Sequence, residues 1–321
     1  MPPLDSILVT GGAGFVGSHF VQAAHQSGSR VTVLDDLSAG PLPRLPATFI
    51  RGDVADRELV VQLVREQRIT AVVHFAGKIQ VGESISHPAL YFEYNVVRTL
   101  ALLNAIKDHV EYFVFSSSAA VYGTPDLVPI PETSRLSPIN PYGSSKLAIE
   151  LALAAYGEAY GTRWAALRYF NAAGAAPDGS LRENHEPETH LIPLAIDAAL
   201  GRRPPLTIFG DDYPTPDGTC IRDYVHVGDI AVAHLSALHA LGSGVSVGAC
   251  NLGSARGFSV REVVAATGRV TGRNVPFAVG ARRAGDPAVL VASNARARSL
   301  LGWDPSRSNL DTIIDDAVRS R

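Results

Sequence analysis

The sequence predicts a doubly wound parallel α/β fold with a smaller α/β domain towards the carboxyl terminus. Two observations predict it: short apolar runs of strand length alternate with helical patterns through the first half of the chain, and a glycine-rich turn follows the first apolar run. Apolar strands separated by helices are typical of a parallel sheet covered on both faces. The composition supports a large core, because 46% of the 321 residues are hydrophobic and only 18% are charged.

The first half of the chain alternates predicted strands and helices. We expect strands at residues 6–10, 30–34, 48–50, 71–75, 112–115 and 164–167. We expect helices at residues 15–27, 56–67, 88–108 and 141–160. Right-handed crossovers between such units build a doubly wound sheet, and its ligands bind at the carboxyl ends of the strands.

The pattern changes after residue 171. Residues 172–188 are rich in glycine, proline and charge, which predicts a loop. Beyond it we expect short strands and helices at 191–200, 206–209, 229–241, 249–252 and 260–268. We therefore divide the chain into a dinucleotide-binding domain at 1–171 and a smaller, mainly substrate-binding domain at 172–321, some of whose segments return to the sheet.

The composition also excludes several classes of partner. The formal net charge of −3 gives no basic surface for nucleic acid and no polybasic segment for anionic lipid. No apolar run reaches the roughly 18 residues of a membrane span, and residues 1–6 lack the basic and apolar regions of a signal peptide. Cys220 and Cys250 make neither a disulfide framework nor a metal-ligand pair. We expect a soluble, cytoplasmic protein.

A glycine-rich loop, GGAGFVG at 11–17, joins the first strand to the first helix. Glycine permits positive φ and lets the backbone approach a pyrophosphate, whose charge is bound by free N–H groups at the start of the helix. A tight strand-to-helix turn without a ligand gives the same pattern, so the loop alone is weak evidence.

The ends of the next two strands strengthen the interpretation. The second strand ends at Asp35 and Asp36, and Asp35 stands 18 residues after Gly17. This is close to the spacing of the carboxylate that binds the adenosine ribose in dinucleotide sites. The third strand is followed by Asp53 and Val54, placed for the adenine edge. The sequence thus predicts an NAD site, because the charge of Asp35 repels the 2′-phosphate of NADP.

Tyr142 and Lys146 stand four residues apart at the start of the fourth predicted helix. This spacing places the phenol and the ammonium on one face, and a nearby positive charge favours the phenolate, so Tyr142 is a candidate acid/base. Such pairs are common on helices without any function. Here Ser118 follows the fifth predicted strand, although a serine run is ordinarily a strand-to-loop cap. Together with the glycine loop, the three residues indicate hydride transfer at a carbinol carbon.

Longer sequence blocks are more specific than these spacings. They are HFAG at 74–77, VGES at 81–84, SSSAAVYG at 116–123, LRYFN at 167–171, IFGDDYPT at 208–215 and DGTCIRDY at 217–224. With these blocks the chain resembles the extended short-chain dehydrogenase/reductases and, more narrowly, the UDP-glucose 4-epimerase family. The similarity extends from residue 9 to residue 303.

The resemblance implies a Rossmann fold, NAD as cofactor and the interconversion of UDP-glucose and UDP-galactose. Tyr142 would remove the proton of the sugar 4-hydroxyl while the C4 hydride passes to NAD, and the 4-keto sugar would then turn and take the hydride back on its other face. Lys146 would also bind the nicotinamide ribose, and Ser118 would share the sugar oxygen with Tyr142. The helices predicted at 88–108 and 141–160 would pair across a two-fold axis in a homodimer.

The resemblance also implies two sets of binding residues. The cofactor contacts are Gly11, Gly14, Phe15, Val16, Asp35, Asp36, Asp53, Val54, Phe75, Ala76, Gly77, Asn95, Tyr142, Lys146 and Phe170. The UDP-sugar contacts are Ser118, Tyr142, Asn171, His190, Leu191, Thr207, Ile208, Phe209, Arg222, Arg283, Asp286 and Leu290. Within the second set, the two arginines would bind the diphosphate, the aspartate the uridine ribose, and residues 207–209 the uracil.

A group of histidines and glutamates before the helix at 191–200 raises the question of a metal site. His185, Glu188 and His190 lie close together in sequence. Pro187 interrupts any helix there, and the spacing fits no familiar ligand pattern, so we predict no metal. His190 is expected instead to bind the diphosphate or to cap the following helix.

Three alternatives to the implied activity stay open. Leu290 stands at the family's gate position, and because leucine is smaller than the tyrosine of some members, UDP-N-acetylhexosamines are alternative substrates. An NAD-dependent nucleotide-sugar dehydratase is disfavoured by Ala119 and Ala120, which stand where dehydratases have an acidic pair; a decarboxylase is less well excluded. A non-catalytic NAD-sensing regulator is disfavoured because Tyr142 and Lys146 are both present.

Overall fold

Parallel strands and helices alternate from residue 6 onwards in the computed structural model, which describes residues 6–185, 187–283 and 286–321. The expectation about a signal peptide concerns residues 1–6 and, apart from Ser6, lies outside the described residues. Among the helices of the described chain, none is long and apolar enough to cross a membrane.

The elements have the following bounds. The strands are β1 (Ser6–Thr10), β2 (Arg30–Asp35), β3 (Thr48–Arg51), β4 (Ala71–His74), β5 (Tyr112–Ser118), β6 (Arg163–Tyr169), β7 (Asn171–Ala173), β8 (Leu206–Phe209), β9 (Ile221–Arg222), β10 (Tyr224–His226), β11 (Gly248–Leu252), β12 (Phe258–Ser259), β13 (Phe277–Gly280) and β14 (Val289–Leu290). The helices are α1 (Phe15–Gln26), α2 (Arg57–Glu66), α3 (Val81–Ser86), α4 (Pro88–Phe92), α5 (Arg98–Ile106), α6 (Pro141–Tyr160), α7 (Leu191–Ala199), α8 (Val227–Gly242), α9 (Val260–Thr271), α10 (Ala295–Leu301) and α11 (Leu310–Arg319).

A seven-stranded parallel sheet has the order β11-β6-β5-β4-β1-β2-β3. Helices α1 and α8 pack on one face through a buried cluster that includes Phe20 and Leu238. Helices α2, α5 and α6 cover the other face around Leu63, Leu103 and Leu153. Burying each such side chain stabilises the fold by about 1.5–3 kcal/mol. The prediction of a doubly wound parallel sheet is confirmed, and the strand order reverses at β1, where ligands of such sheets bind.

The later part of the chain forms smaller units around a separate core. Helices α7, α9 and α11 bury Ile192, Val263 and Ile313 together. Short sheets with the orders β10-β7, β12-β9-β14 and β13-β8 accompany them. Not all later elements lie there, because β11 pairs with β6 in the large sheet and α8 packs against α1.

The structure differs from the sequence prediction at several elements. The helix expected at 88–108 is divided into α4, a π-helical turn at Glu93–Val97 and α5. Strand β5 continues to Ser118, so the serine run belongs to the strand rather than following it. The loop expected at 172–188 begins inside β7, which pairs with β10. In each case a contact distant in sequence determines the local conformation.

Candidate active site

The glycine-rich loop is shaped by two contacts that leave no room for a side chain. Gly11 has a φ of 70°, and a Cβ there would lie 2.4 Å from the backbone nitrogen of Ala76. A Cβ at Gly17 would lie 2.3 Å from the carbonyl oxygen of Gly11. The loop therefore lies directly against the segment that follows β4, and the backbone of both is close to the crevice at the end of β1.

The start of α1 is suited to an anion. Gly14 is its N-cap, and among the described residues no side chain caps its first N–H groups and no acidic residue stands in its first turn. Phe15 and Val16 are its first two residues and are half-buried. Unpaired N–H groups and the helix dipole favour a phosphate at such a position. The cradle made by Gly11 and this helix start fits the pyrophosphate of a dinucleotide.

Asp35 lies at the end of β2 and contacts the glycine loop. Its carboxylate accepts hydrogen bonds from the backbone nitrogens of Ala13 at 3.0 Å and Leu37 at 2.8 Å. Burial raises the pKa of Asp35, and these two hydrogen bonds offset the effect only in part. Asp36 is turned away, accepting from the backbone nitrogen of Ser38 at 2.8 Å. Asp35 is the residue placed beside the loop, as a ribose-binding carboxylate requires.

Asp53 follows β3 and has a cationic partner that the sequence reasoning did not identify. Its carboxylate lies 2.6 Å from the guanidinium of Arg98 on α5, and it also accepts from the backbone nitrogen of Ala55 at 2.9 Å. The guanidinium of Arg98 stacks on the ring of Tyr94, 3.8 Å from its centroid. Val54 is buried beside it. The ion pair fixes the segment after β3 to the helix that precedes β5.

Asn95 lies in the π-helical turn and joins the segment after β4 to α6. Its amide oxygen accepts from the backbone nitrogen of Lys78 at 2.7 Å, and its amide nitrogen donates to the hydroxyl of Ser145 at 3.0 Å. A Cβ at Gly77 would lie 2.8 Å from the same amide oxygen. Phe75 and Ala76 each donate a backbone hydrogen bond to the carbonyl of Thr10, at 2.9 and 3.1 Å. Such π turns are frequent at functional sites.

Tyr142 is the second residue of α6, and the start of this helix is pressed against the end of β5. The N-cap Asn140 accepts from the backbone nitrogen of Gly143 at 2.8 Å. A Cβ at Gly143 would lie 2.4 Å from the carbonyl oxygen of Ala120, in the 3-10 turn after Ser118. This contact brings the phenol of Tyr142 close to the hydroxyl of Ser118, which offsets part of the rise in the phenol's pKa.

Lys146 lies one helical turn after Tyr142 and is buried. Its Nζ donates a hydrogen bond of 2.9 Å to the carbonyl oxygen of Ser116 and lies 5.8 Å from the ring centroid of Tyr142. Burial lowers the pKa of Lys146 to about 8, although the charge of Glu150 raises it in part. Burial also raises the pKa of Tyr142. This direction of the pKa of Tyr142 is opposite to the one expected from the sequence, because burial disfavours the charged phenolate.

A buried polar network behind these residues was missed by the sequence reasoning. Arg168 on β6 forms an ion pair with Glu150 on α6, and Glu150 also accepts from Ser117. Arg168 donates to the hydroxyl of Tyr122 at 2.9 Å, which donates to Asn251 at 2.7 Å. The spacing of Lys146 and Glu150 on one helix face was the available signal.

The predicted diphosphate and uridine residues lie on the short strands β8 and β9 and, for Arg283 and Asp286, in the segment between β13 and β14. Arg222 on β9 places its NH2 3.3 Å from Asp286 and donates from NH1 to the carbonyl of Pro287 at 2.9 Å. Arg283 places its guanidinium 4.1 Å from the ring centroid of Phe209 on β8. Thr207 and Phe209 are exposed, whereas the side chain of Ile208 is buried in the core. Any contact of Ile208 with a ligand is therefore through its backbone.

Leu290 and Phe170 pack against one small cluster. They contact the buried side chains of Val121, Tyr122 and Ile130, and Val121 belongs to the turn that follows Ser118. Leu290 pairs with Arg222 in the β14–β9 ladder. The candidate gate residue Leu290 thus lies between Arg222 and the turn that follows Ser118.

The chain is similar to known proteins over most of its length. A profile of the NAD dependent epimerase/dehydratase family matches residues 7–253. The chain belongs to this family. It is 47% identical to the UDP-glucose 4-epimerase of Halalkalibacterium halodurans over 314 residues. The alignment covers 97% of this chain and 94% of that protein.

Solved structures are also similar to this chain, and two of them illustrate the similarity. One is the crystal structure of UDP-glucose 4-epimerase from Brucella ovis in complex with NAD, with a TM-score of 0.95, 48% identity, and coverage of 98% of this chain and 97% of that chain. The other is the UDP-Glc/GlcNAc 4-epimerase from Campylobacter jejuni, with a TM-score of 0.85, 39% identity and 98% coverage of both chains. The resemblance stated from the sequence is confirmed.

As a member of the NAD dependent epimerase/dehydratase family, the chain has NAD as its cofactor, as the sequence predicts. The glycine cradle, the uncapped start of α1 and Asp35 fit that cofactor. The individual contact residues stay predictions. Asn171 starts β7, where its backbone nitrogen donates to the carbonyl of Asp223 at 3.0 Å, and Leu191 is the half-buried first residue of α7.

His190, the N-cap of α7, belongs to a cluster with His185 and Glu188, which the sequence places near it, and with Glu183, which the sequence reasoning did not include. Its Nδ1 lies 2.7 Å from Glu183 and 3.2 Å from Glu188, and His185 lies 3.1 Å from the same oxygen of Glu183. The prediction of no metal rests on Pro187 and on the spacing of these residues; the chain bends there and brings the four side chains together without a helix.

The glutamates and histidines of this cluster shift one another's pKa values. Burial alone would lower the pKa of His190, but Glu183 and Glu188 raise it to about 10. Burial would raise the pKa of Glu183, but the two histidines lower it to about 2. His190 provides no side-chain cap for α7, so of its two expected roles the capping one is not found.

Proposed function

We propose that this protein is an NAD-dependent enzyme that interconverts UDP-glucose and UDP-galactose at C4 of the sugar. The observation that supports it most is the contact of Tyr142 with Ser118 beside the buried Lys146, at the strand end next to the glycine cradle. A phenol, a hydroxyl and an ammonium so arranged suit proton transfer at one alcohol oxygen. The relatives named UDP-glucose 4-epimerase support the substrate.

In this proposal Tyr142 takes the proton of the 4-hydroxyl at its phenolic oxygen and returns it in the second half-reaction. Ser118 holds the same sugar oxygen, since its hydroxyl lies close to the phenol. Lys146, anchored on the carbonyl of Ser116, places a positive charge near the phenol and binds the nicotinamide ribose. Bound NAD supplies the hydride acceptor, and later the donor, at the sugar C4. Between the two steps the 4-keto sugar turns over in the site, so net redox change is zero.

The short strands would hold the nucleotide. Arg222 and Arg283 would bind the diphosphate, Asp286 the uridine ribose, and Phe209 the uracil face, with the backbone of Thr207 and Ile208 beside it. Asn171, His190 and Leu191 would contact the sugar and diphosphate. Charge-assisted bonds from two guanidiniums suit a doubly charged diphosphate. We propose on the same grounds that residues 1–171, together with β11 and α8, bind NAD, and that most of residues 172–321 bind the UDP-sugar.

We also propose a cytoplasmic homodimer that serves carbohydrate metabolism. Large apolar side chains are exposed on the segments expected to pair, namely Phe92, Val97 and Leu151, with Leu151 64% exposed. An apolar surface of this kind is typical of an interface, and two-fold dimers are the commonest oligomers.

Incubation of the purified protein with UDP-galactose, without added cofactor, tests the activity. Separation of the two sugars should show UDP-glucose forming until equilibrium, and Tyr142→Phe should reduce the rate by about 10²–10⁴-fold. Tyr160→Phe, at an exposed position of the same helix, is the matched control and should keep the wild-type rate. Absence of turnover in the wild type, even with NAD supplied, contradicts the proposed substrate.

A second candidate is epimerisation of UDP-N-acetylhexosamines. Leu290 favours it, because leucine at this position is smaller than the tyrosine of some family members and leaves more room beside the sugar. A relative named UDP-Glc/GlcNAc 4-epimerase also has the same fold. Dehydration is disfavoured, since Ala119 and Ala120 offer no acid next to Ser118. Decarboxylation of a UDP-uronate is tested by including that substrate in the same assay.

A further inference from the structure

Four ligand-type side chains converge in the segment that leads into α7. They are Glu183, His185, Glu188 and His190, and one ligand atom of each lies within 4.8 Å of the other three. Oε1 of Glu183 lies 3.1 Å from Nδ1 of His185 and 2.7 Å from Nδ1 of His190. The side chain of Glu183 is only 6% exposed. These are two nitrogens and two carboxylate oxygens aimed at one small volume.

The separations agree with those around a small divalent ion. Zinc bonds to histidine nitrogen and carboxylate oxygen are about 2.0–2.2 Å long and tetrahedral, which places neighbouring ligand atoms roughly 3.3 Å apart. The three contacts measured between carboxylate oxygens and ring nitrogens are 2.7, 3.1 and 3.2 Å. The remaining pairs of ligand atoms lie within 4.8 Å of one another, so a cation entering the cluster requires these side chains to draw closer together without a change of the backbone.

Hydrogen bonding within the cluster leaves one ligand atom without a partner. Nδ1 of His185 is buried and, among the described residues, makes no hydrogen bond despite lying 3.1 Å from Glu183. A buried polar atom without a partner is costly, and each such atom calls for an explanation. Both histidine rings present Nδ1 to the same carboxylate oxygen, an arrangement that one shared cation satisfies.

We propose that Glu183, His185, Glu188 and His190 form a binding site for a divalent transition-metal cation of the zinc class. The mixed nitrogen and oxygen set suits zinc, whereas calcium and magnesium prefer oxygen ligands. Four protein ligands complete a tetrahedral shell, as in structural rather than catalytic zinc sites. The cation would close the loop on either side of Pro187 and fix His190 at the start of α7. The cluster contains neither Tyr142, Ser118 nor Lys146, so the cation would take no part in proton or hydride transfer, and it shares only His190 with the proposed UDP-sugar contacts.

Titration of the chelator-treated full-length protein with Zn²⁺, and with Co²⁺ as a visible probe of geometry, tests the site. We expect one ion per chain, a Co²⁺ spectrum of tetrahedral type, and a higher midpoint of thermal unfolding with zinc than with chelator. His185→Gln should weaken Zn²⁺ binding at least about tenfold, and His185→Cys, which keeps a zinc ligand, should restore part of it. His109→Gln, at an exposed histidine far from the loop in sequence, is the matched control.

Two outcomes overturn the proposal. One is the absence of stoichiometric binding to the wild type, which leaves a hydrogen-bonded cluster only. The other is equal Zn²⁺ affinity in the wild type and His185→Gln, which places the ion elsewhere. Unfolding midpoints measured in chelator show whether His185→Gln is itself destabilised. The epimerase assay is independent of these readouts, so failure of one proposal does not imply failure of the other.

Discussion

The Nζ of Lys146 donates a hydrogen bond of 2.9 Å to the main-chain carbonyl of Ser116. One turn further along α6, Glu150 forms a buried ion pair with Arg168, which lies opposite Ser117 in the β5–β6 ladder. Helix α6 is therefore fixed to two strands at successive turns. Tyr142 and Ser118 owe their relative position to these contacts, since one begins the helix and the other ends the strand.

Removing one member of the buried ion pair should destabilise the fold. The side chains of Arg168 and Glu150 are 3% and 5% exposed, so Glu150→Met leaves an unpaired guanidinium and should cost about 3–5 kcal/mol in the free energy of unfolding. The double variant Glu150→Met/Arg168→Met should cost far less than the two single variants together. Urea denaturation of all four proteins measures the coupling. Additive costs of the single variants would falsify the pairing as the source of stability.

The glycine cradle predicts a position-specific loss of cofactor. Gly11→Ala places a Cβ 2.4 Å from the backbone of Ala76, so the loop must move and the protein should retain at least tenfold less NAD. Gly28→Ala is the matched control, since Gly28 also has positive φ, 87°, but a Cβ there meets nothing within 4 Å. It should lower stability by about 1–2 kcal/mol and leave NAD content unchanged. Absorbance of released nucleotide gives the comparison, and equal losses in the two variants are the contrary result.

The gate residue predicts a change in sugar preference. Leu290 packs with Phe170 against the cluster of Val121, Tyr122 and Ile130, so a tyrosine there must extend towards the sugar. Leu290→Tyr should lower kcat/KM for UDP-N-acetylglucosamine at least tenfold while changing the value for UDP-glucose by less than about threefold. Leu290→Met, similar in volume, should change neither greatly. Full N-acetylhexosamine activity in Leu290→Tyr shows that another residue limits access.

Acid should destabilise the protein through His74. This residue is 1% exposed and bonds Thr10 at 2.6 Å and Thr99 at 2.9 Å. Burial, aided by the charge of Lys146, lowers the pKa of His74 from 6.5 to about 3. Between these values the unfolded chain binds a proton there and the folded chain does not, so the stability is fully present above pH 6.5 and is lost as the pH falls towards 3.

The size of this effect follows from one proton. In His74→Gln the free energy of unfolding should fall less steeply over this pH range, by about 1.4 kcal/mol per pH unit, than in the wild type. Urea denaturation at several pH values between 6.5 and 4 provides the slopes. Parallel slopes in the two proteins mean that His74 is protonated in the folded state or that other groups dominate.

Periodic patterns allowed the main elements to be predicted from sequence. Helix α6 has the bounds expected from its proline start, and β1 the bounds of its apolar run. The helix expected at 88–108 is interrupted because Asn95 is turned inward, where it bonds the backbone of Lys78 and the hydroxyl of Ser145. Helix propensity depends on neighbouring residues and gives no information about partners that are distant in sequence.

The same limit applies to the site. The glycine loop, Asp35 and the Tyr142–Lys146 pair were identified because their chemistry depends on short spacings. Arg168 and Glu150 are 18 positions apart, and their pairing depends on the packing of α6 on the sheet. The approach of the side chains around Pro187 could not be predicted, because a bend, unlike a helix, has no spacing rule that brings side chains together.

The most direct test of the proposed chemistry is the fate of deuterium at C4. UDP-galactose labelled there is incubated with the purified enzyme, and UDP-glucose is isolated and analysed by mass spectrometry. The account predicts that the product keeps the deuterium at C4 through many turnovers, because the hydride removed in the first step is the one returned in the second. Loss of the label to solvent, or formation of a 4-keto product that is released, would contradict it.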